Sequence, residues 1–188
     1  MNHLQTISAA ALLFAGAAQS ATIDFNALSG SQGSSFSVGA VTFSVVGGGN
    51  MDATGTPNGT NGLLETSSPR KALRADLAGG FGSVSIDLGD FNADPDHIFL
   101  RAYSAANVLL GSSEADLSAS FSGMHTLSFA TAGISYVLFG SESPSINGSS
   151  VYADNFTYTP GVPEPSTYAL MALGLAGIGG LARRRQVR

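Results

Sequence analysis

The feature that most constrains this chain is a period of two. Short runs of alternating apolar and polar residues recur through its middle, each closed by a glycine- or asparagine-rich turn, and no sustained helical period interrupts them. Val41, Phe43 and Val45 alternate with Thr42, Ser44 and Val46. Leu73, Ala75 and Leu77 alternate with Arg74 and Asp76, and Val84, Ile86 and Leu88 with Ser83, Ser85 and Asp87. Successive side chains of a strand point to opposite faces, so this pattern predicts strands with one buried side. Further strands are expected at Thr22–Phe25, Ile98–Tyr103, Val108–Leu110, around Leu127 and Phe129, at Ile134–Phe139 and at Val151–Tyr158. Turn signals stand between them at Gly47–Asn50, Asn58-Gly59, Asn61-Gly62, Gly79-Gly80, Asn92–Pro95, Gly111-Ser112, Ser143-Pro144 and Asn147-Gly148. Ser113–Ala119 is the one stretch read as a helical turn, and 47–61 reads as a long loop. Eight to ten short strands at such spacing predict an all-β fold, a β-sandwich of jelly-roll type.

The two ends differ from this middle. Residues 1–20 read as a secretory signal peptide, a signal helix with an apolar stretch from Ile7 to Ala18 and small residues at Ala18 and Ser20, which places cleavage before Ala21. Residues 21–161 form the domain, and 162–188 form a tail in three parts. The tail opens on Val162-Pro163-Glu164-Pro165, continues through an uncharged apolar run from Thr167 to Ala182, and ends on Arg183, Arg184 and Arg185. As a transmembrane helix the run would reach about 24 Å, short of the roughly 30 Å hydrocarbon core. Its glycines and alanines weaken it further as an anchor, and the arginines would stay on the cytoplasmic side.

Short motif, weak helix and terminal arginine cluster, in that order, resemble the PEP-CTERM sorting domain of Gram-negative bacteria. The resemblance implies export, recognition by an exosortase-type membrane enzyme with cleavage near Pro163-Glu164-Pro165, a transient inner-membrane intermediate, and delivery to the cell surface or extracellular matrix, where exopolysaccharide is the expected neighbour. A looser resemblance covers Phe81–Asp90, Asp96–Tyr103, Ile134–Val137 and Tyr152–Phe156, which look like the sandwich domains of such proteins and like galactose-binding and carbohydrate-binding jelly rolls. In those domains an Asp-Asn pair in the last strand often sits near a structural calcium.

Composition narrows the chemistry. The chain carries a net charge of −5, and the tail holds Arg183, Arg184, Arg185 and Arg188 of its eight basic residues. The domain keeps Arg70, Lys71, Arg74 and Arg101 against every acid except Glu164. Such an acidic domain repels phosphate backbones and attracts cations, so nucleic acid is an improbable partner. Cys and Trp are both absent, which excludes disulfides, thiol nucleophiles and cysteine-ligated zinc, and leaves sugar stacking to Tyr103, Tyr136, Tyr152 and Tyr158.

Two constellations suggest a cation. In Asp90-Phe91-Asn92-Ala93-Asp94-Pro95-Asp96, side-chain oxygens fall at every second position, as a loop that wraps a hard ion requires. The pattern departs from an EF-hand, with Pro95 at the glycine position and Arg101 where a bidentate Glu belongs; a solvated acidic turn fits it as well. The second is Asp24 with Asp154 and Asn155, which come together if the first and last strands pair. Calcium is the cofactor that either would take. A bulge or turn entry is the plain reading of Asp154-Asn155. Catalytic patterns are missing: there is no Gly-x-Ser-x-Gly elbow, no His-Glu-x-x-His, no phosphate loop and no dinucleotide fingerprint. The expectation is a non-enzymatic structural or adhesive protein. A calcium-dependent carbohydrate-binding module stands as the alternative and a hydrolase behind it. Exposed aromatics on one face would favour the module, and a deep pocket with His97 or His125 beside a carboxylate the enzyme.

Overall fold

The computed structural model describes residues 19–91, 94–142 and 151–161, with 171, 174 and 175. Residues 1–18 of the expected signal segment, Val162–Pro165, the expected transmembrane run apart from 171, 174 and 175, the arginine cluster and Asn92 lie outside the described residues. The domain is all-β. Eleven strands are described: β1 (Ala21–Ile23), β2 (Gly30–Gly33), β3 (Ser35–Val38), β4 (Val41–Val45), β5 (Met51–Gly55), β6 (Asn61–Glu65), β7 (Leu73–Phe91), β8 (Asp96–Tyr103), β9 (Leu109–Leu117), β10 (Ser122–Ser141) and β11 (Tyr152–Pro160).

All the described pairings are antiparallel, and they form one continuous ladder that folds into two layers. The fold-over lies in β7 and β10. The first part of β7 (Leu73–Leu77) pairs with β4 and with the end of β10, whose other side carries β8 and then β9. The second part (Phe81–Phe91) pairs with β11 and with the start of β10. One layer is therefore β3-β4-β7-β10-β8-β9, and the other is β10-β7-β11-β6-β5-β2, with β1 also on β11. Gly79 and Gly80 have φ of 87° and 75° where β7 crosses, and Gly133 has φ 82° where β10 crosses beside it. A Cβ on Gly80 would stand 2.3 Å from the Ile134 carbonyl oxygen, so only glycine fits this corner.

The core lies between the layers. Phe43 of β4 meets Phe156 of β11 edge-on at 5.2 Å, and Phe156 also packs against Phe81 at 5.9 Å. Phe25, Met51, Leu63, Ile86, Leu88, Ile98, Leu100 and Val137 fill the remainder. The alternation read from the sequence is thus the alternation between core and solvent.

Several elements differ from the sequence reading. Leu73–Leu77 and Val84–Leu88 are one strand, because the Gly79-Gly80 signal bends β7 without ending it; the same holds for the two halves of β10. Ser113–Ala119 is not a helical turn: Ser113 to Leu117 close β9, with Ala115 and Leu117 turned to the core and Glu114 and Asp116 outward. The expected loop 47–61 contains β5, which buries Met51 and Ala53. The glycine-rich β2 carries no apolar alternation, and β3, Ser35–Val38, alternates only over four residues, too short a run to stand out; neither is foreseen from the sequence.

Candidate functional site

The acidic segment after β7 folds into a cluster. Asp90 stands at the end of β7 and Asp96 opens β8, so each is fixed by a ladder on its own strand. Asp90, Asp94 and Asp96 bring one carboxylate oxygen each to within 4.8 Å of one another. Asp90 is 4% exposed and Asp96 2%, while Asp94 is half-buried and opens the cluster to water. The Asp90 Oδ1 accepts from the Phe91 amide at 2.6 Å. On Asp96, Oδ1 accepts from Ser141 Oγ at 2.9 Å, and Oδ2 is buried with no hydrogen-bond partner. Burial pushes the Asp96 carboxyl up to about 6; the Ser141 hydroxyl works against this, and the neighbouring charges of Asp90 and Asp94 add to it. Oxygen-only donors, two of them buried, are the donor set of a hard divalent cation.

The second expected constellation is assembled on different terms. β1 pairs with β11 from Ala21↔Tyr158 to Ile23↔Phe156, which brings Asp24 to the level of Asn155, as expected of first and last strands. Asp154 is fully buried under the Thr56–Thr60 turn, and both of its oxygens have protein donors. Oδ1 accepts from the Asn155 amide at 2.7 Å; Oδ2 accepts from Thr60 Oγ1 at 2.5 Å and from Asn58 Nδ2 at 3.4 Å. Asn155, at φ 51°, bulges the strand and donates to Asp87 Oδ2 at 2.9 Å, while Thr126 Oγ1 donates to Asp87 Oδ1 at 2.5 Å. Asp24 Oδ1 accepts from the Asn26 amide. These groups lock the Thr56–Thr60 turn onto β11.

Beside that network the outer face of the second layer is a lawn of hydroxyls. Thr22, Thr157, Ser85 and Ser128 stand in one row across four strands, and Thr159, Ser83 and Ala130 in the next. Thr22 and Thr157 share a hydrogen bond at 2.8 Å, as do Ser83 and Thr159. Phe129 walls a shallow depression of about 280 Å³ over Ser83, Ser85, Ser128 and Thr157.

The tyrosines have different fates. Tyr103 and Tyr136 stack in parallel, 5.0 Å apart, and the Arg74 guanidinium lies 3.7 Å over the other face of Tyr136, held by two hydrogen bonds to Asp76. Tyr158 is buried against Phe81. Tyr152 meets the half-exposed Phe91 edge-on. His97 lies on the open face of β8, with Nδ1 2.7 Å from Asp116 and Nε2 3.3 Å from Glu114; the hydrogen bond to Asp116 raises its pKa. Arg101 bridges Glu114 and Glu142 there and holds both carboxyls below the usual range. His125 is exposed on β10. Neither histidine lines a deep pocket among the described residues.

Sequence reasoning missed Ser141, the hydroxyl that orients Asp96, and the Asn58/Thr60/Asp87/Thr126 set around Asp154-Asn155. It also missed the hydroxyl face, whose trace in the sequence is the polar half of each alternation: Ser83 and Ser85, Thr157 and Thr159.

Comparison with known proteins bears mainly on the tail. Residues 161–186 match the family of the PEP-CTERM protein-sorting motif, so the chain carries that motif directly after β11. No curated protein sequence matches the chain. Solved structures similar to it include an arabinose-bound GH51 α-L-arabinofuranosidase (TM-score 0.45, 10% identity, 73% of this chain and 25% of that one). Others are a family 29 carbohydrate-binding module (TM-score 0.43, 16% identity, 78% and 97%) and a Clostridium stercorarium family 6 module in complex with cellobiose (TM-score 0.38, 17% identity, 74% and 92%). The match spans 25% and 28% of the lengths of the arabinofuranosidase and of a Clostridium thermocellum xylanase fragment.

Proposed function

We propose that this chain is an exported cargo of the exosortase route: a jelly-roll-type β-sandwich delivered to the surface or extracellular matrix of a Gram-negative bacterium, where it has a structural or adhesive role against exopolysaccharide. The observation that carries the reading is the sorting motif at 161–186, which begins at the residue where the domain ends. The Gly161 amide donates to the Gly80 carbonyl at 2.9 Å. The tail thus leaves a fixed point, and Val162-Pro163-Glu164-Pro165 follows with no further domain between. On this reading residues 1–20 start export, the apolar run holds a membrane intermediate, the arginines stay inside, and cleavage near Pro163-Glu164-Pro165 frees the domain.

The hydroxyl face supports the polysaccharide contact. Rows of Ser and Thr on a twisted sheet offer donors and acceptors at about 4.8 Å between strands, a spacing on the scale of a sugar ring's hydroxyls, with Phe129 as an apolar edge. The covered rings of Tyr136 and Tyr158 favour broad polar adhesion over aromatic stacking on a single sugar site.

The test is co-sedimentation of the full chain, in mild detergent, with the host's own exopolysaccharide. Saturable binding that Ser128→Arg weakens at least tenfold is expected. Retention of full binding by Ser128→Arg would remove the hydroxyl face from the reading, and no binding by the parent protein would remove the polysaccharide.

A further inference from the structure

We infer that the Asp90/Asp94/Asp96 cluster binds one calcium-class divalent cation, which fastens the two layers of the sandwich at the end where β7 passes to β8. The inference is independent of how the tail is processed.

Geometry and an unanswered polar atom carry it together. Three carboxylates converge within 4.8 Å. Repulsion would spread them apart on a free loop, but Asp90 and Asp96 cannot move, because one ends a ladder and the other begins one. The Oδ2 of Asp96 has lost its water and gained no donor, whereas a buried carboxylate ordinarily finds one. The rest of the carboxylate is well placed: Ser141, the last residue of β10, holds Oδ1. A side chain oriented on one oxygen and open on the other, beside two more carboxylates, is a ligand awaiting a cation.

Two arginines among the described residues have carboxylate partners of their own: Arg101 bridges Glu114 and Glu142, and Arg74 holds Asp76. The class of the cation follows from the donors. All are hard oxygens, with no histidine or thiolate in the cluster, which disfavours zinc and copper. Magnesium demands a tight octahedron, whereas calcium accepts six to eight oxygens in irregular array. Three carboxylates fixed by strand geometry, with half-buried Asp94 leaving room for waters, fit calcium.

Position determines what the ion does. The end of β7 belongs to one layer, β8 and the end of β10 to the other. An ion bound by Asp90 and Asp96, with Ser141 behind Asp96, ties the layers together.

Calorimetry and thermal unfolding of the full chain test this, with calcium chloride or magnesium chloride added to chelator-treated protein. We expect one calcium per chain, a Tm several degrees higher, and a smaller response to magnesium. Asp94→Ala, at the half-buried position, should fold normally, melt in chelator at or above the parent's Tm because one repelling charge is gone, and bind calcium at least tenfold more weakly. No heat and no rise in Tm for the parent protein would overturn the inference. So would an undiminished calcium response in Asp94→Ala, which would mark general binding to an acidic surface.

Discussion

Replacing Asp96 by Asn should stabilise the calcium-free protein while abolishing its response to calcium. Asn preserves the shape, keeps an acceptor for the Ser141 hydroxyl, and offers an amide to the carboxylates of Asp90 or Asp94 in place of a buried carboxylate oxygen that has no donor. Moving a carboxyl from its ordinary 3.8 to about 6 corresponds to about 3 kcal/mol between folded and unfolded chains. Water entering at half-buried Asp94 screens part of this, so a gain of about 1.5–3 kcal/mol is expected at pH 7.5. For a domain of this size that is roughly 6–12 °C in Tm. The sign follows from the direction of the shift. The folded state holds the Asp96 proton more tightly than the unfolded state, so its contribution is fully present below about pH 4 and is lost as pH rises through about 6. The parent protein in chelator should therefore lose stability between pH 4 and 7, and Asp96→Asn should lose less. Differential scanning calorimetry across that range, with and without calcium, reads all of this. An Asp96→Asn protein less stable than the parent in chelator at pH 7.5 would refute the reasoning, because the aspartate would then be making an interaction worth more than its desolvation.

In the producing cell, Glu164→Ala and deletion of Arg183–Arg185 should each block maturation, seen as precursor accumulation on immunoblots; normal processing of both would remove the sorting reading. Gly89→Ala should destabilise the domain by about 3 kcal/mol, because its Cβ would stand 1.9 Å from the Gly123 carbonyl oxygen, a backbone atom across the β7–β10 ladder; urea unfolding measures it. Thr60→Val should cost about 1–3 kcal/mol, since the buried Asp154 Oδ2 would keep only the long contact from Asn58; a loss under 0.5 kcal/mol would mean that the Thr56–Thr60 turn is not secured there.

What could be read in the sequence was what local alternation encodes. β4, β8 and β11 announce their buried faces in their own residues, and the Asp90–Asp96 spacing shows which side chains share a loop. Two things could not be read locally. Whether Gly79-Gly80 ends a strand or bends it depends on β10 crossing at Gly133 alongside, a partner more than fifty residues away. Which donors reach the buried Asp154 depends on Asn58 and Thr60, which only the β6–β11 pairing brings near. Ser141 is silent for the same reason: a serine at a strand end becomes informative only when Asp96 is placed beside it.

The place where the chain leaves the domain has a mechanical consequence. β11 is bonded to β7 along most of its length and to β6 and β1 on its other side. Gly161 continues it out of the sheet. A pull directed along the axis of β11 would load the flanking ladders in shear, so that they share the force; they would not be unzipped one rung at a time, as an edge strand pulled sideways can. The Asp90 end of the same sheet lies at the far end of β11, roughly 25–30 Å away at strand rise, opposite the point of attachment. Tension entering through such a tail would meet a strand bonded on both sides first, with the acidic cluster at the opposite end.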